Sequence, residues 1–349
     1  MIRLAVRQFR DSAWTALAGL ISLVAVVLAT RPHLTEAAAA ARRDCGSDAR
    51  CPALVSFVLD NTGSRTVAGL LVIVVPALIG AFWGAPLIAR EFEAGTHRLV
   101  WAQSISRGRW LAVRLAVVGT ATVAATTLLS MLVTWWAAPL DDSAAAVYGT
   151  FDARDLVPIG YALFALALGV VAGLVTRRTL PAMAITLAGL LTVRIMVTEW
   201  VRPLVVAPRV MDRPLDPDTT GYGSGGNILL GIGESRLDPE PPDIPDAWIQ
   251  STDIVDAAGT PLTDQVLKAS CPTIGQESGG GPARPVTEAV RQEMHDCVVR
   301  IGERYHEVVT FQSGDRYWTF QWWELAVFVA LAAVLVACAG YRVRRFSGG

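Results

Sequence analysis

Six apolar runs, each long enough to cross a bilayer as a helix, decide most of what this chain can become. They cover residues 12–30, 66–89, 110–138, 156–176, 180–201 and 322–341. A helix rises 1.5 Å per residue, so about 20 residues span a hydrocarbon core of roughly 30 Å. Composition agrees: 52% of the 349 residues are hydrophobic and 17% charged, against roughly 25% charged in a soluble domain. Mean hydropathy is +0.42. An ordinary cytosolic enzyme is excluded, and 30 basic against 31 acidic residues give no footprint for nucleic acid. The fold class expected is an all-α integral membrane protein with six transmembrane helices.

Basic residues near helix ends are retained in the cytoplasm, which orients the bundle. The segments holding Arg3, Arg7, Arg10, Arg90, Arg98, Arg107, Arg109, Arg114, Arg177, Arg178, Arg342, Arg344 and Arg345 contain only three acids, Asp11, Glu91 and Glu93. The opposite short loops carry six arginines against eight acids. Both termini are therefore expected in the cytoplasm of a multi-pass plasma-membrane protein. Ten of the eleven tryptophans fall at helix ends under this registration, as amphipathic rings at an interface should. The first run exceeds the 7 to 15 apolar residues of a secretory signal and reads as a span. Residues 1–10 set Ile2, Leu4, Ala5 and Phe9 against Arg3, Arg7 and Arg10, which suits either a short interfacial helix or a frayed basic terminus.

The resulting organisation is 1–202 for the first five helices, including a cytoplasmic loop at 90–109, then 203–317 as an extracytoplasmic domain, and 318–349 as the sixth helix and tail. The insertion holds 12 of the 19 prolines and 13 of the 30 glycines, so a loop-rich domain is expected, with little regular structure at its start. Its best helix is 287–309, capped by Thr287, with Val290, Met294, Val298, Ile301, Tyr305 and Val308 on one stripe. Cys45 and Cys51 lie in the first outer loop, Cys271 and Cys297 in the insertion. Four cysteines in an oxidising compartment read as two disulfides, and of three pairings the local one is favoured. Closing the second loop would stabilise the domain by about 3.5 kcal/mol on the chain-entropy account. Cys338 reads as packing inside the last span.

Few motifs carry chemistry. Gly221 to Gly226 match G-x-G-x-x-G, but no strand is expected before them and the segment lies outside, so they read as a flexible turn. There is no Walker A lysine or nucleophile elbow, and the four histidines have no metal-ligand spacing. No catalytic, cofactor or metal site is expected in this chain. Two charges interrupt the apolar runs, Arg194 and Glu324, with Glu199 about one turn beyond Arg194. Such residues usually face a bundle interior or a wet cavity. They either line a pathway or, the favoured reading, Arg194 pairs with Glu199 or Glu324 as structural glue.

The loop between the second and third spans is the most informative segment. Its sequence Arg90-Glu91-Phe92-Glu93-Ala94-Gly95-Thr96, followed by Leu99-Val100 and Ser104-Ile105-Ser106-Arg107, resembles the membrane subunits of ABC-2-type exporters, especially actinobacterial ones. Residues 315–321 with Glu324 look like the same permeases. The resemblance implies a permease that exports a hydrophobic or amphipathic small molecule, such as a drug, an antibiotic or a lipid. It also implies cytoplasmic ABC ATPase subunits that bind ATP and magnesium, and a second permease copy or paralogue. Arg90, Glu91, Phe92, Glu93, Gly95 and Thr96 would form the ATPase-coupling loop. In that reading a short helix starts near Glu91, Phe92 is offered to a groove, the acids sit at the positive N-terminal end and Gly95 permits the reversal. An ordinary acidic turn is the plain alternative. For the whole chain the alternative is a non-translocating receptor or assembly protein whose external domain binds a partner.

Overall fold

A computed structural model describes residues 2–45, 51–95, 106–144, 147–217, 220–227, 232–239, 242, 244, 246–271 and 288–345. The chain divides into two compact units, Met1–Val205 with Asp315–Gly349, and Val206–Gly314.

The first unit is helical. It comprises α1 (Ile2–Cys45), α2 (Pro52–Asp60), α3 (Thr62–Ile79), α4 (Ala85–Glu93), α5 (Arg107–Ala144), α6 (Val157–Thr176), α7 (Thr179–Ile195) and α10 (Tyr317–Arg345). Among the described residues, six helical stretches are long and apolar enough to cross a membrane: Ala18–Cys45, Thr62–Glu93, Gly108–Asp141, Val157–Thr176, Thr179–Leu204 and Gly314–Arg345. The N-terminal residues do not form a separate interfacial helix, because α1 runs unbroken from Ile2. Residues 2–18 contain no glycine or proline that could turn its axis. It packs on α5 and α2 through Val27, Leu34, Phe57, Trp136 and Leu140, and Cys45 is bonded to Cys51 beyond its end.

The fourth span, α6, is the centre of this unit, and the second, third, fifth and sixth spans all pack against it. Fourteen of its twenty residues are buried. Its closest neighbour is a π-helical turn, Gly80–Gly84, that joins α3 to α4. A Cβ on Gly169 would lie 2.4 Å from the Gly80 carbonyl oxygen, and one on Gly84 would lie 2.7 Å from that of Leu166. Two small-x-x-x-small pairs, Gly80/Gly84 and Gly169/Gly173, therefore let the backbones touch.

The second unit carries more regular structure than its composition suggested. Strands β1 (Arg209–Pro214), β5 (Tyr305–Gln312) and β4 (Trp248–Asp256) form an antiparallel sheet in that order. Strands β2 (Thr220–Asn227) and β3 (Ile232–Pro239) form an antiparallel ribbon. The Gly-rich stretch 221–226 is thus a strand, not a flexible turn, and pairs with β3 instead of leading into a phosphate-binding helix. The expected helix 287–309 is also corrected. Helix α9 covers Glu288–Gly302, and Tyr305 and Val308 belong to β5. From Tyr305 the burial alternates, a period of two that no helical stripe can follow. Thr287 lies outside the described residues. Helices α8 (Asp264–Ser270) and α9 are joined by Cys271–Cys297, and the core gathers Leu215, Leu237, Ile254, Leu267, Val298 and Ile301 around it. On the sheet, Glu307 is buried but pairs with its register partner Arg213 at 2.9 Å.

Candidate functional site

At one end of the helical unit the fifth span passes from α7 through a π-helical segment, Met196–Val201, to Arg202. Residues eight apart on an α-helix are rotated by about 80°. The wider π turn takes up part of that rotation, so Arg194 and Arg202 both reach Asp152 in the 3₁₀ segment Val147–Ala153. Arg202 is 7% exposed. It donates to both carboxylate oxygens of Glu324 on α10, at 2.9 and 3.0 Å, and also pairs with Asp152. Its guanidinium lies 4.6 Å from the Phe151 ring centroid. Glu324 is fully buried and accepts a hydrogen bond from Tyr161 on α6. Arg194 reaches the other oxygen of Asp152 at 3.2 Å and lies over the Tyr161 ring. Two arginines thus face two carboxylates, and the network is neutral. Each buried charge has a partner, as burial demands.

Beside it, Gln321 works as a cap. Its Oε1 accepts from the backbone N–H groups of Leu156 and Val157 at 3.1 Å, satisfying donors that the start of α6 leaves without helical partners. Its Nε2 donates to the Phe151 carbonyl and to the Tyr317 hydroxyl, which itself donates to Asp155 at 2.6 Å. Arg65 and Arg154 meet Asp141 at 3.3 and 2.8 Å. A groove of about 410 Å³ runs between α3 and the 3₁₀ segment, bordered by Arg65, Ile73, Tyr148, Phe151, Asp152 and Arg202. Burial, reinforced by the charge of Asp315, pushes the Tyr148 phenol up to about 12.

Arg194 therefore does not pair with Glu199 or Glu324. Glu199 is exposed on the π segment, with no ion-pair partner among the described residues, and Glu324 is held by Arg202 and Tyr161. The sequence reading missed Asp152, Tyr161, Arg202 and Gln321. Asp152 and Arg202 sit where an apolar run meets a loop; Asp152 stands among the outer-loop acids, and Arg202 falls just past the fifth run and enters no count. The Gln321 and Glu324 spacing, one helical turn at the start of an apolar run, was the available signal. Cys338 is exposed on α10 and not packed inside it.

The opposite end of the second span carries Arg90, Glu91, Phe92 and Glu93. They do not begin a helix; they are the last turn of α4, where the helix dipole disfavours acids. Both acids are compensated. Glu91 accepts from Arg114 of α5 at 2.6 Å, and Arg114 also donates to the Leu87 carbonyl and stacks on Trp110. Glu93 accepts from the Thr179 backbone N–H at 2.8 Å and its hydroxyl at 2.7 Å, capping the positive N-terminus of α7. Phe92 is half-buried against Ile88, Trp110 and Leu174, with Arg177 over its ring, so it is not offered freely to a groove. Gly95 takes φ +67° just beyond the helix end, the left-handed position that glycine fills without a Cβ penalty. Arg90 is exposed. Thr96 and the rest of the loop to residue 105 lie outside the described residues.

Six spans of this kind make the chain a multi-pass membrane protein. No curated protein and no solved structure matches it. A family described as ABC-2 membrane transporter related matches residues 17–202, which hold the first five spans, the acidic turn at 90–95 and both arginines of the buried network. The match takes in more than half of the chain, which therefore belongs to the ABC-2 membrane transporter related family as a permease-type membrane subunit.

Proposed function

We propose that this chain is the membrane-spanning subunit of an ABC exporter for a hydrophobic or amphipathic small molecule. Its energy would come from ATP, bound with magnesium on separate cytoplasmic ATPase subunits, and it would work paired with a second permease copy or paralogue. The observation that carries the reading is the family match over the first five spans. The orientation follows the arginine distribution, with both termini cytoplasmic. The Cys45–Cys51 and Cys271–Cys297 bonds support an external position for residues 203–317, because disulfides persist in oxidising compartments.

The two ends of the helical unit supply a mechanism. Residues 90–95 receive the ATPase, with Arg90 the exposed charge at the contact. Movement there passes through Glu91 to the third span and through Glu93 to the fifth, since those side chains are bonded to Arg114 and Thr179. The fifth span carries Arg194 and Arg202 at its other end. Its displacement exchanges ion-pair partners in the Asp152 and Glu324 network, which opens and closes the groove beside it. The test is coexpression with a candidate ATPase. The reading expects stable copurification, weakened by Arg90→Glu without loss of thermal stability, and ATP turnover that responds to amphipathic compounds. A chain that purifies alone with every ATPase tried, and binds a protein through residues 206–314, would favour the anchored receptor.

A further inference from the structure

At the arginine-rich end of the helical unit, a slot of about 400 Å³ opens between α5 and α10. Leu111 and Leu115 form one wall and Val336 the other, and Gly108 and Gly340 leave it wide. A second cavity shares Gly108 and Arg344 with the slot and adds Arg109. The apolar slot thus ends at Arg344, and the cavity adjoining it brings in Arg109. Neither Arg109 nor Arg344 has a carboxylate partner among the described residues. The neighbouring acids are committed elsewhere, Glu91 to Arg114 and Glu93 to Thr179. The adjoining sequence, 96–105 and 346–349, contains no acid.

We propose that this slot binds one anionic phospholipid, with an acyl chain between α5 and α10 and its phosphate between Arg109 and Arg344. Charge and shape both favour a lipid. Guanidinium pairs hold phosphate oxygens through several N–H donors, and basic pockets between transmembrane helices recognise acidic headgroups. The apolar walls give a free phosphate or an acidic protein surface nothing to fill. The inference depends on the membrane topology and not on the transport reading, so either can fail alone.

The full-length protein in detergent is titrated with phosphatidylglycerol, phosphatidylcholine or inorganic phosphate. Thermal unfolding is followed, and bound lipid is counted by native mass spectrometry. Phosphatidylglycerol alone should raise the unfolding temperature and remain bound. Both effects should vanish in Arg109→Gln/Arg344→Gln and persist in Arg42→Gln/Arg43→Gln. Gly340→Leu gives a second route to the same answer. A Cβ there meets nothing within 4 Å, so the new side chain fills the slot without displacing the backbone, and it should also abolish lipid retention. An equal response to phosphatidylcholine, a full response to phosphate alone, or retained lipid in either slot variant would overturn the proposal. So would an arginine variant that keeps the lipid but loses an ATPase subunit, or a Gly340→Leu protein that keeps the lipid but loses a second copy.

Discussion

Arg202 and Arg194 stand on the same span and share Asp152, yet their burial assigns them different weights. Glu324 has no exposure of its own and depends on Arg202. Removing one partner of a buried pair leaves an uncompensated charge and costs about 3 to 5 kcal/mol. Arg202→Gln should therefore lower the unfolding temperature in detergent strongly. Arg194→Gln should lower it less, because Asp152 keeps its bond to Arg202 and the Arg194 pair is only part-buried. Equal losses in the two variants would contradict the network as described. The same reasoning separates the acids of the second span. Glu91→Arg sets a cation against Arg114 in a half-buried contact and should destabilise the fold. Glu93→Gln, at an exposed position, weakens the cap on Thr179 and should lower the unfolding temperature much less than Glu91→Arg. Arg194 and Glu324 were legible as charges inside apolar runs. Their partners were not, because Asp152 reaches Arg194 only when a 3₁₀ segment distant in sequence folds over the bundle, and Glu324 is held by Arg202 and Tyr161 from two other spans.

Among the elements, the spans were the most legible part, since twenty apolar residues in water have few alternatives. Their irregularities were not. The π segments at Gly80–Gly84 and Met196–Val201 leave no mark in hydropathy, and the close contact of the glycine pairs at 80/84 and 169/173 was not read from the sequence. Gly169→Val tests that contact. Its Cβ would enter the space of the Gly80 carbonyl oxygen, and overpacking costs about 1 to 3 kcal/mol or more. The variant should unfold at a clearly lower temperature, whereas Gly19→Val, on an open face of α1, should not. In the second unit, β5 was misread as helix because apolar residues at 298, 301, 305 and 308 mimic a helical stripe across Gly302. Asp256 holds the turn after β4 by accepting from the Thr260 and Ala258 backbone N–H groups at 2.9 Å. The Thr260 bond first, and then that to Ala258, draws its carboxyl below the usual range. A depressed acid stabilises the fold above its unfolded value and loses that contribution as pH falls through its folded value. Acid unfolding of the chain followed at the β4 turn should thus begin at higher pH in the wild type than in Asp256→Asn, once each is normalised to its neutral-pH stability.

Across the whole molecule, a membrane unit built around α6 is joined in sequence to a disulfide-bonded unit inserted before its last span. The membrane unit was largely readable from hydropathy and arginine placement. In the inserted unit the local cysteine pairing was readable but the sheet was not, because its short strands take their order from contacts far apart in the chain. Within the membrane unit, residues 90–95 at one end and the Asp152, Arg202 and Glu324 network at the other are two of the places, among the described residues, where charge is organised across spans. The function proposed is that ATP hydrolysis on a partner drives an amphipathic molecule through this bundle. Its most direct test is ATP-dependent uptake of a fluorescent amphipathic compound into inside-out vesicles holding the chain and its copurified ATPase. Uptake should start on addition of ATP and should fall in Glu93→Gln, with the ATPase still bound. Vesicles that hydrolyse ATP at full rate yet accumulate none of the compounds tested, with the wild type and Glu93→Gln indistinguishable, would contradict it.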